Sequence, residues 1–119
     1  MMIEIPIERR ELTLDAYQQK AARTINPNLT RPETERHALF GLAAETGEVL
    51  SLFQKELQGH PIQKDDVIKE IGDVLWMCAE LCTLYDLSMG DVAQANIDKL
   101  RQRYPEGFDP ERSIHREEN

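Results

Sequence analysis

Apolar residues recur at helical spacing through most of the chain, and the turn-forming breaks between these runs predict four helices. Residues 1 to 12 instead alternate Ile3, Ile5 and Ile7 with polar neighbours and a proline. They read as an extended lead-in with no evident partner strand. Thr13 can cap a short helix that turns Tyr17, Ala21 and Ile25 inward, and Asn26-Pro27-Asn28 ends it. Thr30-Arg31-Pro32-Glu33 has the form of a capping box and opens a second helix of roughly 25 residues, about 37 Å long. That run closes near Gly59-His60-Pro61. A third helix begins at Asp65 or Asp66, where acids favour a helix N-terminus, and runs to about Asp86. Ser88-Met89-Gly90-Asp91 repeats the capping pattern before a fourth helix, which reaches Arg103 ahead of Tyr104-Pro105. The tail from 105 to 119 is polar and rich in turn residues, so it reads as a loop or lid, partly disordered.

No parallel-sheet pattern occurs, and the expected fold is all-α: an antiparallel bundle of about four helices in one domain covering 1–119. On the second helix Leu39, Leu42, Ala43, Val49, Leu50, Phe53 and Leu57 share a broad arc, which should face the core. On the third, the stripe is Val67, Ile71, Val74, Cys78, Leu81 and Tyr85. Its second half, VLWMCAELCTLY, has one charge in twelve residues. Such a helix should be buried on more than one side, at the bundle centre or a subunit interface, and it predicts a homodimer or homotetramer.

Charge changes the picture of what the bundle holds. Lys and Arg number 14 against 22 Asp and Glu, for a formal net charge of -8, which disfavours an extended nucleic-acid surface and suits cations. Charges at Glu4, Glu8, Arg9 and Arg10 break the first apolar run, and no later stretch is long and uncharged. The expected setting is the cytoplasm, away from membranes. Cys78 and Cys82 sit four apart on one helical face, about 5 to 6 Å between Cβ atoms, too far for a disulfide, and read as small apolar groups.

One acidic phrase is written twice. Glu45-Thr46-Gly47-Glu48-Val49-Leu50 is matched by Glu70-Ile71-Gly72-Asp73-Val74-Leu75. Each i, i+3 pair places two carboxylates on one side of its helix. Glu45 falls at the edge of the apolar arc with Glu48 one step further round, while Glu70 falls inside its stripe and Asp73 at the margin. Buried unpaired carboxylates are costly, and two antiparallel helices converging four of them would be relieved by a divalent cation. Oxygen-only ligands suit Mg²⁺, with Mn²⁺ as a substitute. His37, His60 and His115 do not follow a glutamate by three residues, so the Glu-x-x-His ligands of di-iron bundles are missing. Mg²⁺ commonly shares its coordination with phosphates. On the fourth helix Asn96, Lys99 and Arg103 form a polar edge able to meet oxyanions. Gly47 and Gly72 point away from the acids, and close packing against another helix would explain them.

Glu45-x-x-Glu48, Glu70-x-x-Asp73 and Asn96-x-x-Lys99-x-x-x-Arg103 together resemble the MazG-like group of all-α nucleoside triphosphate pyrophosphohydrolases, over roughly residues 14 to 108. The resemblance implies Mg²⁺-dependent cleavage between the α and β phosphates of a nucleoside triphosphate, and assembly as a dimer or tetramer. By position, Glu45, Glu48, Glu70 and Asp73 match the family's metal ligands, Lys99 and Arg103 its phosphate contacts, and Asn96 a polar position of the same motif. Some relatives carry a further acid directly before the first glutamate, where this chain has Ala44. Water activation is therefore assigned to the metal cluster, with Glu48 assisting. His37, Trp76, Tyr104 and Phe108 are candidates to border a base, with Trp76 alternatively filling a subunit contact, since it projects opposite the main stripe of its helix. Two alternatives stay open: a non-catalytic module that binds nucleotide or metal, and a specialised relative acting on dUTP, dCTP or phosphoribosyl-ATP.

Overall fold

The computed structural model describes residues 3–6, 9 and 11–116. Its elements in chain order are α1 (Leu14–Ala22), α2 (Arg31–Leu57), α3 (Lys64–Leu84), α4 (Met89–Arg103) and α5 (Pro110–Ile114), with no strand among the described residues. The architecture is all-α with four main helices. Thr13 Oγ1 accepts the Ala16 N–H at the start of α1. The box at Thr30 closes reciprocally: its hydroxyl accepts the Glu33 N–H while the Glu33 carboxylate accepts the Thr30 N–H. At α4, Ser88 Oγ accepts the Asp91 N–H.

The two long helices end in the same way. Gly59, at φ +96°, follows α2, with His60 N–H bonded to the Lys55 carbonyl and Gly59 N–H to that of Glu56. Asp86, at φ +57°, takes the equivalent place after α3, with Leu87 N–H on Cys82 and its own N–H on Thr83. The first turn returns the chain at once, so α2 and α3 pair as a long antiparallel hairpin.

Contacts across that hairpin run in strict register. The acids of Glu45 and Asp73 meet midway along it. Next, Gly41 makes room for Met77, whose Sδ lies 2.4 Å from where a Cβ would stand. His37 then meets Glu80, and at the far end Tyr85 donates to Glu35 with the Arg31 guanidinium 5.6 Å over its ring. Helix α1 lies along α3, and α4 packs on α1. The tie is polar: Gln18 Nε2 donates to Thr83 Oγ1 and the Leu87 carbonyl, and its Oε1 accepts the Met89 N–H. A small core of Ala21, Ala79 and Met89 gathers Tyr17, Trp76, Cys78 and Cys82 around it. Both cysteines are free.

Several expectations need correction. The lead-in is not extended throughout, because Arg9 N–H bonds to the Pro6 carbonyl; Ile7 lies outside the described residues. Between 105 and 116 the tail is folded, with Asp109 capping α5 and Arg112 Nε donating to the Arg103 carbonyl. Much of the predicted core arc of α2 faces outward: Leu50 is 65 % exposed and Leu57 89 %, with Leu39 and Phe53 also exposed. Ala38 and Thr34 are the buried residues of α2 instead. Ile71 and Tyr85 of α3 are likewise exposed, so the hairpin offers two apolar strips that the described residues leave uncovered.

Candidate metal and nucleotide site

Glu45 projects from the middle of α2, Glu70 and Asp73 from the first half of α3, and the antiparallel register sets them face to face. One carboxylate oxygen from each lies within 4.8 Å of the other two. Glu45 and Glu70 are half-buried and Asp73 is exposed. Burial, then the negative charges of Asp73, Glu70 and Glu48, push the Glu45 carboxyl above the ordinary glutamate value. Three anions at this spacing fit one hard divalent cation with oxygen ligands. Glu48 is exposed and outside the trio, though its charge reaches Glu45.

Tyr17 is a neighbour the sequence did not flag. It reaches the acids from α1, and burial, together with the charges of Asp73 and Cys78, pushes its phenol up. Its inward position in α1 was legible, but its nearness to Asp73 depends on how α1 lies on α3. Beside the trio, at the α2–α3 turn, opens a cleft of about 400 Å³ lined by Leu52, Lys55, His60, Pro61, Ile62, Gln63, Asp66 and Glu70. It places a lysine and a histidine next to the acids, a feature that the motif spacing does not reveal.

The basic edge stands elsewhere. Asn96 and Lys99 are exposed on α4 and Arg103 is half-buried at its end, and α4 packs on α1. The aromatic candidates divide into two groups. Tyr104 and Phe108 lie together beyond α4, ring centroids 5.4 Å apart. Trp76 meets His37 edge to face at 6.1 Å, and its indole N–H donates to Thr24 Oγ1. Trp76 is thus partly covered within its own chain. Gly47 and Gly72 are not closely approached by any described residue, since a Cβ on either would meet nothing within 4 Å among them.

A paired-helix carboxylate trio on an all-α frame defines the class: a helical protein with three acids that could hold a divalent cation. The family model for the MazG nucleotide pyrophosphohydrolase domain matches residues 33–108, and the chain belongs to that family. The chain is also similar to the Gene 37 protein of Mycobacterium phage L5, 32 % identical over 76 residues, covering 60 % of this chain and 67 % of that protein. No solved structure matches.

Proposed function

We propose that the chain hydrolyses nucleoside triphosphates between the α and β phosphates, giving nucleoside monophosphate and pyrophosphate, with Mg²⁺ as cofactor and Mn²⁺ as substitute. The observation that carries this reading is the trio Glu45, Glu70 and Asp73, three carboxylates facing one another. They would hold the ion, which when bound neutralises phosphate charge and lowers the pKa of water. Glu48, exposed one turn from Glu45, is assigned the proton of the attacking water. Asn96, Lys99 and Arg103 are assigned to the phosphates, where the cations steady the departing pyrophosphate.

Incubation with Mg²⁺ and a panel of canonical and modified nucleoside triphosphates is expected to release monophosphate and pyrophosphate. Binding without product would make the chain a nucleotide-binding module instead. Release of orthophosphate in place of pyrophosphate would move the cleaved bond.

The same reading includes a homo-oligomer, dimer or tetramer. Its support is the exposed apolar strips of α2 and α3 and a radius of gyration of 17.4 Å, against about 13.5 Å for a compact chain of this length. Light scattering is expected to give at least twice the chain mass of 13.7 kDa. Gly47→Ala and Gly72→Ala sharpen the test: in a lone chain each should stabilise its helix by about 1 kcal/mol. Where another copy packs against the glycine, each should weaken assembly. No described helix is long and apolar enough to cross a membrane, and we place the activity in the cytoplasm.

A further inference from the structure

Two turns beyond the acids, α3 carries a carboxylate in much deeper surroundings. Glu80 is 1 % exposed, the one buried charged side chain among the described residues. Its Oε1 lies 2.6 Å from His37 Nδ1. Its Oε2 is buried with no hydrogen-bond partner among the described residues. A buried carboxylate oxygen without a donor is costly, and an apolar side chain of similar size would fill this place at less expense. The arrangement calls for a donor that no described residue supplies.

Position says where that donor comes from. Glu80 follows Asp73 by seven residues, on nearly the same face of α3 and about 10 Å further along it. His37 precedes Glu45 by eight residues on α2, so acids and His37–Glu80 pair occupy successive levels of one helix–helix seam, with Met77 over Gly41 between them. Trp76 flanks the upper level, its ring edge to face with His37 and its indole held by Thr24.

We propose that Glu80, with His37 over it, reads the base of the nucleotide and selects bases that carry an exocyclic amino group. This rests on the hydrolase reading above, with phosphates at the acids and the base further along the seam. A carboxylate only accepts: Oε1 takes the His37 Nδ1–H and fixes that proton, which leaves Oε2 for a second N–H. The amino group of cytosine or adenine supplies one. The carbonyl that replaces it in uracil or hypoxanthine sets lone pairs against the carboxylate. His37, with 46 % of its side chain exposed, is the open side of the pair, and a shift of its ring that keeps Nδ1 on Oε1 admits the base edge.

The chain has a single tryptophan, so occupancy beside Trp76 can be followed without turnover. Titration with cytidine, uridine, adenosine and inosine monophosphates, read by Trp76 fluorescence, is expected to show the amino-bearing member of each pair binding at least about tenfold tighter. Glu80→Gln is expected to erase most of that preference while keeping its fold by circular dichroism. His37→Ala, at the exposed rim, should erode it similarly and keeps the test open if Glu80→Gln does not fold. Equal affinities in the unaltered protein, no fluorescence response to any nucleotide, or a preference that survives both substitutions would overturn the proposal. Pyrophosphate release measured in parallel separates the two readings. Base preference without release removes the hydrolase and leaves the base reader; release without preference removes only the base reader.

Discussion

Asp15 and Glu45 are both helix carboxylates beside a neighbouring element, and their surroundings drive them in opposite directions. Asp15 Oδ1 accepts from Ser88 Oγ at 2.6 Å and from the Gly90 N–H at 2.9 Å, at the start of α4. The serine hydroxyl first, then the backbone N–H, hold its carboxyl below the ordinary aspartate value. Glu45 faces Glu70 and Asp73, and burial and their charges hold it above the ordinary glutamate value. One carboxylate is complete as the chain folds and ties α1 to α4. The other belongs to a group that gains from a ligand. Counting acids cannot separate these cases, whereas counting the donors that face each oxygen can.

The largest effect expected from this contrast is on turnover. Glu70→Gln should lower pyrophosphate release by about a hundredfold or more, because it removes one of three converging ligands. The same change should leave the metal-free protein as stable as before or more so, since it relieves repulsion. A clear loss of metal-free Tm in this variant would make the trio structural, like Asp15.

Metal should act next. Mg²⁺ or Mn²⁺ at about 100 times Kd is expected to stabilise the fold by about 2.7 kcal/mol, a rise of several degrees in Tm that a chelator reverses. Glu70→Gln should lose that rise and Asp15→Asn should keep it. A Tm indifferent to both ions would remove the cation from the comparison.

The pH dependence of the metal-free protein is smaller and opposite in sign at the two places. Asp15, with its pKa lowered, contributes stability that is present above the ordinary aspartate value of about 3.9 and lost as pH falls through its lowered value. Glu45, with its pKa raised, contributes stability that is full below the ordinary glutamate value and lost as pH rises through its raised one. Thermal melts across the acid range should therefore find Asp15→Asn less stable than the unaltered protein near neutrality, with the gap closing at low pH. Glu45→Gln should show its gain on the neutral side. Parallel curves would break the contrast.

Smallest of all, Thr30→Ala removes the cap of α2, far along the helix from the acids, and should cost about 1 kcal/mol in a denaturant melt with turnover per folded molecule unchanged.

How much of this was legible depends on whether a feature is local. The chain alone determined the four main helices, three of their N-caps and both acidic pairs, because spacing along a helix fixes what shares a face and caps reach only three residues. It also determined the family pattern that carries the nucleotide reading. The same arithmetic misjudged the arc of α2, since an apolar face on a helix does not say which other helix, if any in the same chain, packs on it. Only the tertiary structure decided that Glu45, Glu70 and Asp73 are the acids that meet while Glu48 stands outside, and that α4 lies on α1. It alone decided the fate of Glu80. In the sequence Glu80 is one charge in a greasy run, and its meaning depends on His37, a partner 43 positions away. Helical spacing sets where a side chain points along its own axis, but which side chain waits opposite follows from the register between two helices, and that is fixed by packing.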